Sequence, residues 1–112
     1  MSAFFNSDVV RAEMAEIQEL QEELYTNVFK FPTMSKEDQQ YHVEILERLL
    51  DKQRVMYTRL SLSDDPEAKK LKETISESAV DMGVPKDMDM NLVFNNMSRA
   101  VEMMKDHIDK QS

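Results

Sequence analysis

The chain has 112 residues, 41% of them hydrophobic and 32% charged, with 14 Lys and Arg against 22 Asp and Glu for a formal net charge of −8. That length fits a single domain, 1–112, with a core that needs no covalent staple. The absence of cysteine excludes a disulfide framework, a thiolate zinc site and a thiol nucleophile, and the negative field opposes phosphate backbones and anionic lipid surfaces.

No apolar run approaches the roughly 18 residues of a membrane span, and the N-terminus has no basic region followed by an apolar stretch, so no signal peptide is expected. Breakers are few: one glycine, Gly83, and three prolines, Pro32, Pro66 and Pro85. Strand proteins need turn residues every 8–12 positions or so. Good helix formers fill the intervals here instead. An all-α chain of four helices follows, about 7–31, 36–61, 66–82 and 89–109.

The first helix has Asn6 or Ser7 as its cap, and with Asn6 there, Phe5 and Val10 occupy the positions of a hydrophobic staple. Val10, Ile17, Leu24 and Phe31 recur every seven residues, with Met14, Leu20 and Val28 widening the stripe. Pro32 is expected to end the helix. After Thr33-Met34, Ser35-Lys36-Glu37-Asp38 resembles a capping box with Asp in place of Glu or Gln. The second helix carries Leu46, Leu49, Leu50, Gln53, Met56, Tyr57 and Leu60 at helical spacing. Two long helices on so short a link form an antiparallel αα-hairpin. Six acids in the first (Asp8, Glu13, Glu16, Glu19, Glu22, Glu23) suit the bases Arg48, Lys52, Arg54 and Arg59 in the second.

Asp65 as cap with Pro66 in the first helical position starts the third helix. Ala68, Leu71, Ile75, Ala79 and Met82 share one face, Gly83 suits a left-handed cap and Pro85 prevents continuation. Asp87 or Asp89 caps the fourth. There Met90, Met97 and Met104 recur every seven residues, as do Phe94, Val101 and Ile108, a pattern fit for a bundle seam or coiled-coil contact. The third helix is too short to cover the hairpin, so its remaining apolar surface is expected to meet another copy in a homodimer.

Several constellations invite a chemical reading. Glu19-x-x-Glu22 and Glu44-x-x-Glu47 lie on neighbouring helices. They resemble the paired carboxylates with which all-α nucleotide pyrophosphohydrolases of the MazG type hold magnesium. The second pair departs from that pattern, which ends in Asp, and Asp51 stands four residues beyond Glu47. Solvated faces of amphipathic helices, the usual meaning of such charge runs, explain these pairs better. Asp87-Met88-Asp89 begins like a calcium loop, but Leu92 stands at the required glycine and Ser98 at the bidentate glutamate. His42 and His107 are isolated, and one glycine cannot build a phosphate-binding loop. No metal or other cofactor is expected. Ten methionines fit a buried seam or an adaptable binding surface.

The least generic stretch runs from Arg54 to Pro66. Arg54, Tyr57, Arg59, Ser61, Ser63, Asp64 and Asp65 gather at a helix end, a bend and a helix start, and form the candidate partner surface. Capping accounts for part of this, since Asp64 and Asp65 occupy the position an anion would take.

Phe4-Phe5-Asn6-Ser7, Val10-Arg11-x-Glu13, Phe31-Pro32-x-Met34-Ser35, Lys52-Gln53 and above all Tyr57-x-Arg59-Leu60-Ser61-Leu62-Ser63-Asp64-Asp65-Pro66-Glu67-Ala68 carry a resemblance. Together they resemble a family of small all-helical proteins of unknown function found in cyanobacteria and the phages that infect them. The resemblance implies a cytoplasmic protein and supplies no catalytic residues. The expected function is therefore that of a non-enzymatic helical interaction protein, homo-oligomeric and binding a host protein. The alternatives are a magnesium-dependent pyrophosphohydrolase using Glu19, Glu22, Glu44 and Glu47, and an acidic decoy of nucleic acid. Arg48, Lys52, Arg54 and Lys69-Lys70 break the acidic run that a decoy needs.

Overall fold

Side-chain caps mark where the helices begin in the computed structural model, which describes residues 3–81 and 83–111. Ser7 Oγ accepts from Val10 N at 3.5 Å and opens α1, Asp8–Asn27. Ser35 Oγ accepts from Asp38 N at 3.2 Å and opens α2, Lys36–Leu62. Asp65 Oδ1 accepts from Glu67 N at 2.9 Å ahead of α3, Pro66–Asp81. Asp89, not Asp87, caps α4, Met90–Asp109, by accepting from Asn91 N at 2.9 Å. No strand occurs among the described residues. Ser7 rather than Asn6 as cap takes Phe5 and Val10 out of staple register. Phe4 and Phe5 nevertheless pack on the cluster containing Val10, edge to face with each other at 5.0 Å.

The first helix differs from expectation at its end. The α-helical winding stops at Asn27, and Val28–Thr33 continues as a tighter 3-10 helix with Pro32 inside it. The residue before a proline is disfavoured in the α region, and proline has no N–H for the longer bond. Threonine hydroxyls add local bonds here: Thr26 Oγ1 donates to Glu22 O at 2.7 Å and Thr33 Oγ1 to Lys30 O at 2.8 Å. At the end of α3, Val84 N donates to Ala79 O and Gly83 N to Val80 O, both at 3.0 Å. This is a Schellman closure, with Gly83 at φ +103°. The expected core position Met82 lies outside the described residues.

The longest helix, α2, is the axis of the molecule. Glu13 meets Arg59, Glu16 meets Lys52 and Glu23 meets Tyr41, so α1 runs antiparallel to it as the charges predict. Glu47 meets Lys105 and Arg54 meets Asn95, so α4 also runs antiparallel to α2 and therefore parallel to α1. Val43 and Leu50 pack with Phe94, Val101 and Ile108 of α4. Ile45 and Leu49 pack with Leu20 of α1. Met56 and Leu60 join Val10 and Ala68 where α1, α2 and α3 meet. At 100° per residue Val43 and Leu50 point roughly 130° away from Ile45 and Leu49 on α2. The Cα extents, 52 × 31 × 19 Å, describe a long, flat body.

Candidate functional site

The divergence of roughly 130° on α2 keeps α1 and α4 from closing over its middle, and a groove of about 1230 Å³ remains. Gln53, Met56 and Tyr57 form its floor. One wall is α1, with Arg11, Met14, Gln18 and Gln21. The other joins the end of α3, with Ile75 and Ala79, to the start of α4, with Met90, Val93 and Met97. Among the described lining residues Arg11 alone is charged, in a chain where about one residue in three is. Depletion of charge marks the core of a protein interface. Met14 and Met97 flank the opening, 39% and 44% exposed. A helix about 10 Å across rising 1.5 Å per residue occupies on the order of 120 Å³ per residue, so the groove holds roughly ten residues of one.

The bend residues singled out from sequence are used largely within the chain. Arg54 donates to Asn95 Oδ1 at 2.8 Å and lies 5.9 Å from the centre of the Phe94 ring. Tyr57 packs on the same ring at 5.8 Å and carries Lys72 Nζ over its face at 5.7 Å. Arg59 holds Glu13 through both nitrogens, Nη2 to Oε1 at 3.1 Å and Nε to Oε2 at 3.0 Å, the latter an ion pair rather than an aligned hydrogen bond. Ser61 Oγ donates to Tyr57 O, and Ser63 Oγ accepts from Asp65 N. Asp65 has a double role: while Oδ1 caps α3, Oδ2 accepts from Phe4 N at 3.0 Å and ties the N-terminal segment to the bend. Asp64 is exposed.

The paired glutamates are not brought together. Glu44 and Glu47 line a depression of about 510 Å³ with Arg48, Asp51, Lys52 and Lys105, to which α1 contributes nothing. Lys105 bonds Glu47, which raises the lysine pKa. Glu19 and Glu22 are exposed on α1, and Gln18 Nε2 donates to Glu22 Oε1. Among the described residues no group of three or more His, Asp or Glu side chains could hold a metal ion.

A smaller polar cleft of about 480 Å³ lies at the mouth of the hairpin. Tyr41 donates to Glu23 Oε1 at 3.0 Å, and this bond to a carboxylate raises the phenol pKa. His42, 7% exposed, packs 5.3 Å from the Phe31 ring, and its burial lowers the imidazole pKa. Nearby Gln39 Nε2 donates to Phe31 O at 3.0 Å. These contacts fasten the 3-10 segment to α2.

A family model described as a domain of unknown function (DUF1825) matches residues 2–108. The chain belongs to that family. No curated protein and no solved structure matches it. Sequence reasoning missed the groove because it placed Met14 and Gln53 in continuous core stripes. The available signal was the pair Gln18 and Gln21, uncharged positions in a helix otherwise rich in acids. No described helix of this DUF1825 chain is long and apolar enough to cross a membrane.

Proposed function

We propose that the protein is a non-enzymatic, homodimeric interaction protein that holds a second protein in the cytoplasm of a cyanobacterium, whether the gene is the host's or a phage's. The observation that carries this reading is the groove: a channel of about 1230 Å³, lined by no acid, across all four helices of an acidic chain. A helical fold that leaves its central seam open completes its core with the apolar face of another helix. The cyanobacterial setting is supported by the resemblance carried by Tyr57–Ala68.

Capture on the tagged chain expressed in a cyanobacterium, followed by mass spectrometry and reconstitution from purified components, tests the reading. A partner that binds the purified chain saturably, with an affinity altered by Met14→Glu in the groove, is the expected result. Magnesium-dependent release of pyrophosphate from nucleoside triphosphates, lost in Glu44→Gln, would overturn it.

A further inference from the structure

We infer that the groove is closed by a second copy of this chain, the α1 edge of each protomer lying against the α4 edge of its partner. This rests on reading the groove as a docking surface. Outside its buried stripe, α1 carries a second one, Arg11, Met14, Gln18, Gln21, Tyr25 and Val28, at alternating spacings of three and four. Tyr25 and Val28, 66% and 41% exposed, carry it beyond the groove. On α4 the same alternation links Met90, Val93, Met97, Ala100 and Met104. Alternating three-four spacing is the geometry of a helix–helix seam, and each stripe borders the groove through its first members.

Charge selects the occupant. Grooves that recruit basic helices present acids at the contact to steer them. Here two acids of α1 are turned to α2, Glu13 on Arg59 and Glu16 on Lys52, and no acid lines the groove. Two copies at −8 each can meet only where neither presents acid, and these two stripes contain none. The geometry also closes. Because α1 and α4 are parallel in one protomer, a two-fold axis running along them sets α1 against the partner's α4 twice, parallel each time. The stripe from Arg11 to Val28 is about 26 Å long. Two helices about 10 Å wide then give a face of roughly 500 Å² in projection, and side-chain relief brings this near the ~800 Å² per partner of a stable interface.

Sedimentation equilibrium from about 1 to 100 µM tests this on the full chain, with Met97→Glu, Gln18→Glu and Leu62→Glu compared. Met97 and Gln18 are solvent-exposed in the single chain, and Leu62, 82% exposed at the end of α2, belongs to neither stripe and does not line the groove. The expected result is a dimer that Met97→Glu and Gln18→Glu each weaken about 100-fold, because a carboxylate is buried twice over the axis. Leu62→Glu leaves it unchanged. Circular dichroism checks that the variants stay folded. Should Met97→Glu unfold the chain, methyl resonances of Met14, Met90 and Met97 in the native chain decide instead: dilution shifts them and leaves Met88 and Met103 in place. A dimer insensitive to both groove carboxylates, or dissociated by Leu62→Glu instead, overturns this inference and leaves the interaction reading standing. A native chain monomeric at 100 µM overturns it together with the homodimer, while binding of a different protein remains decided by capture and reconstitution.

Discussion

Leu60→Ala offers the sharpest test of the packing. Leu60 is 1% exposed where α1, α2 and α3 meet, against Val10, Met56 and Ala68, the last of these fully buried. The substitution removes three carbons, about 2.4 kcal/mol of transfer free energy at ~0.8 kcal/mol each. The cavity adds to that, because its walls belong to three helices that cannot all move inward without losing other contacts. The expected loss is about 3–5 kcal/mol, or a fall in Tm of roughly 15–25 °C. Leu62→Ala is the matched control: the same chemistry two residues away at 82% exposure, with an expected effect within about 0.5 kcal/mol. Urea unfolding followed at 222 nm, at one fixed protein concentration, measures both. A loss below about 1 kcal/mol for Leu60→Ala would refute the three-helix junction and with it the placement of α3 beside the groove.

Three further outcomes follow from individual residues. Asp65→Ala removes both the α3 cap and the acceptor for Phe4 N, with an expected loss of about 1–2 kcal/mol; hydrogen exchange should accelerate at Glu67 and Phe4 together, and a change at Glu67 alone would separate the two bonds. Gly83→Ala meets no atom within 4 Å of its new Cβ, so only the backbone at φ +103° resists it; about 1–2 kcal/mol should be lost on urea unfolding, and a gain would contradict that conformation. His42 is held below the ordinary histidine pKa by burial, so the unfolded chain takes the proton first as pH falls. Its contribution is fully present above about pH 6.5 and is lost as pH drops below that, until the folded pKa is passed. An NMR titration placing His42 at or above the ordinary value would refute this, and His42→Gln should flatten that part of the stability profile.

The legible parts of the fold were those set by local chemistry. Asp65-Pro66, Gly83-Val84-Pro85 and the seven-residue recurrences of α4 each depend on residues close in sequence, and each appears in the structure. The opposite charges of α1 and α2 gave the antiparallel hairpin, which Glu13–Arg59 and Glu16–Lys52 realise. The end of α1 was less legible, because Val28–Phe31 has helical periodicity whether the winding is α or 3-10; Pro32 decides, by removing a donor. The groove was least legible. Its existence depends on the angle between two core sets of α2, Val43/Leu50 and Ile45/Leu49, and the single stripe read from the sequence, Leu46 to Leu60, includes neither Val43 nor Ile45. The paired glutamates fail for the same reason. Spacing of three places two carboxylates on one face, but only the rotation of α2 determines that Glu47 meets Lys105 and that both glutamates line a depression without α1.

The three glutamines of the groove suggest how an open seam coexists with a stable chain. Gln18, Gln21 and Gln53 stand where a closed bundle would place leucines. Leucine there would expose a contiguous apolar patch in the free chain, the kind that drives aggregation. Glutamate there would be strongly opposed to burial against a second chain. Glutamine keeps the groove wet when empty and costs only amide desolvation when it fills, and its amides bond to one another or to the partner's backbone. Replacing all three with leucine should therefore tighten self-association at least about tenfold, since even a fraction of the ~1.5–3 kcal/mol of each added burial exceeds the 1.4 kcal/mol per decade required. The same variant should bind a hydrophobic dye more strongly when diluted to monomer. Sedimentation at matched concentrations reads the first effect and dye fluorescence the second. If association is unchanged while dye binding rises, the glutamines line an exposed surface that no second copy covers.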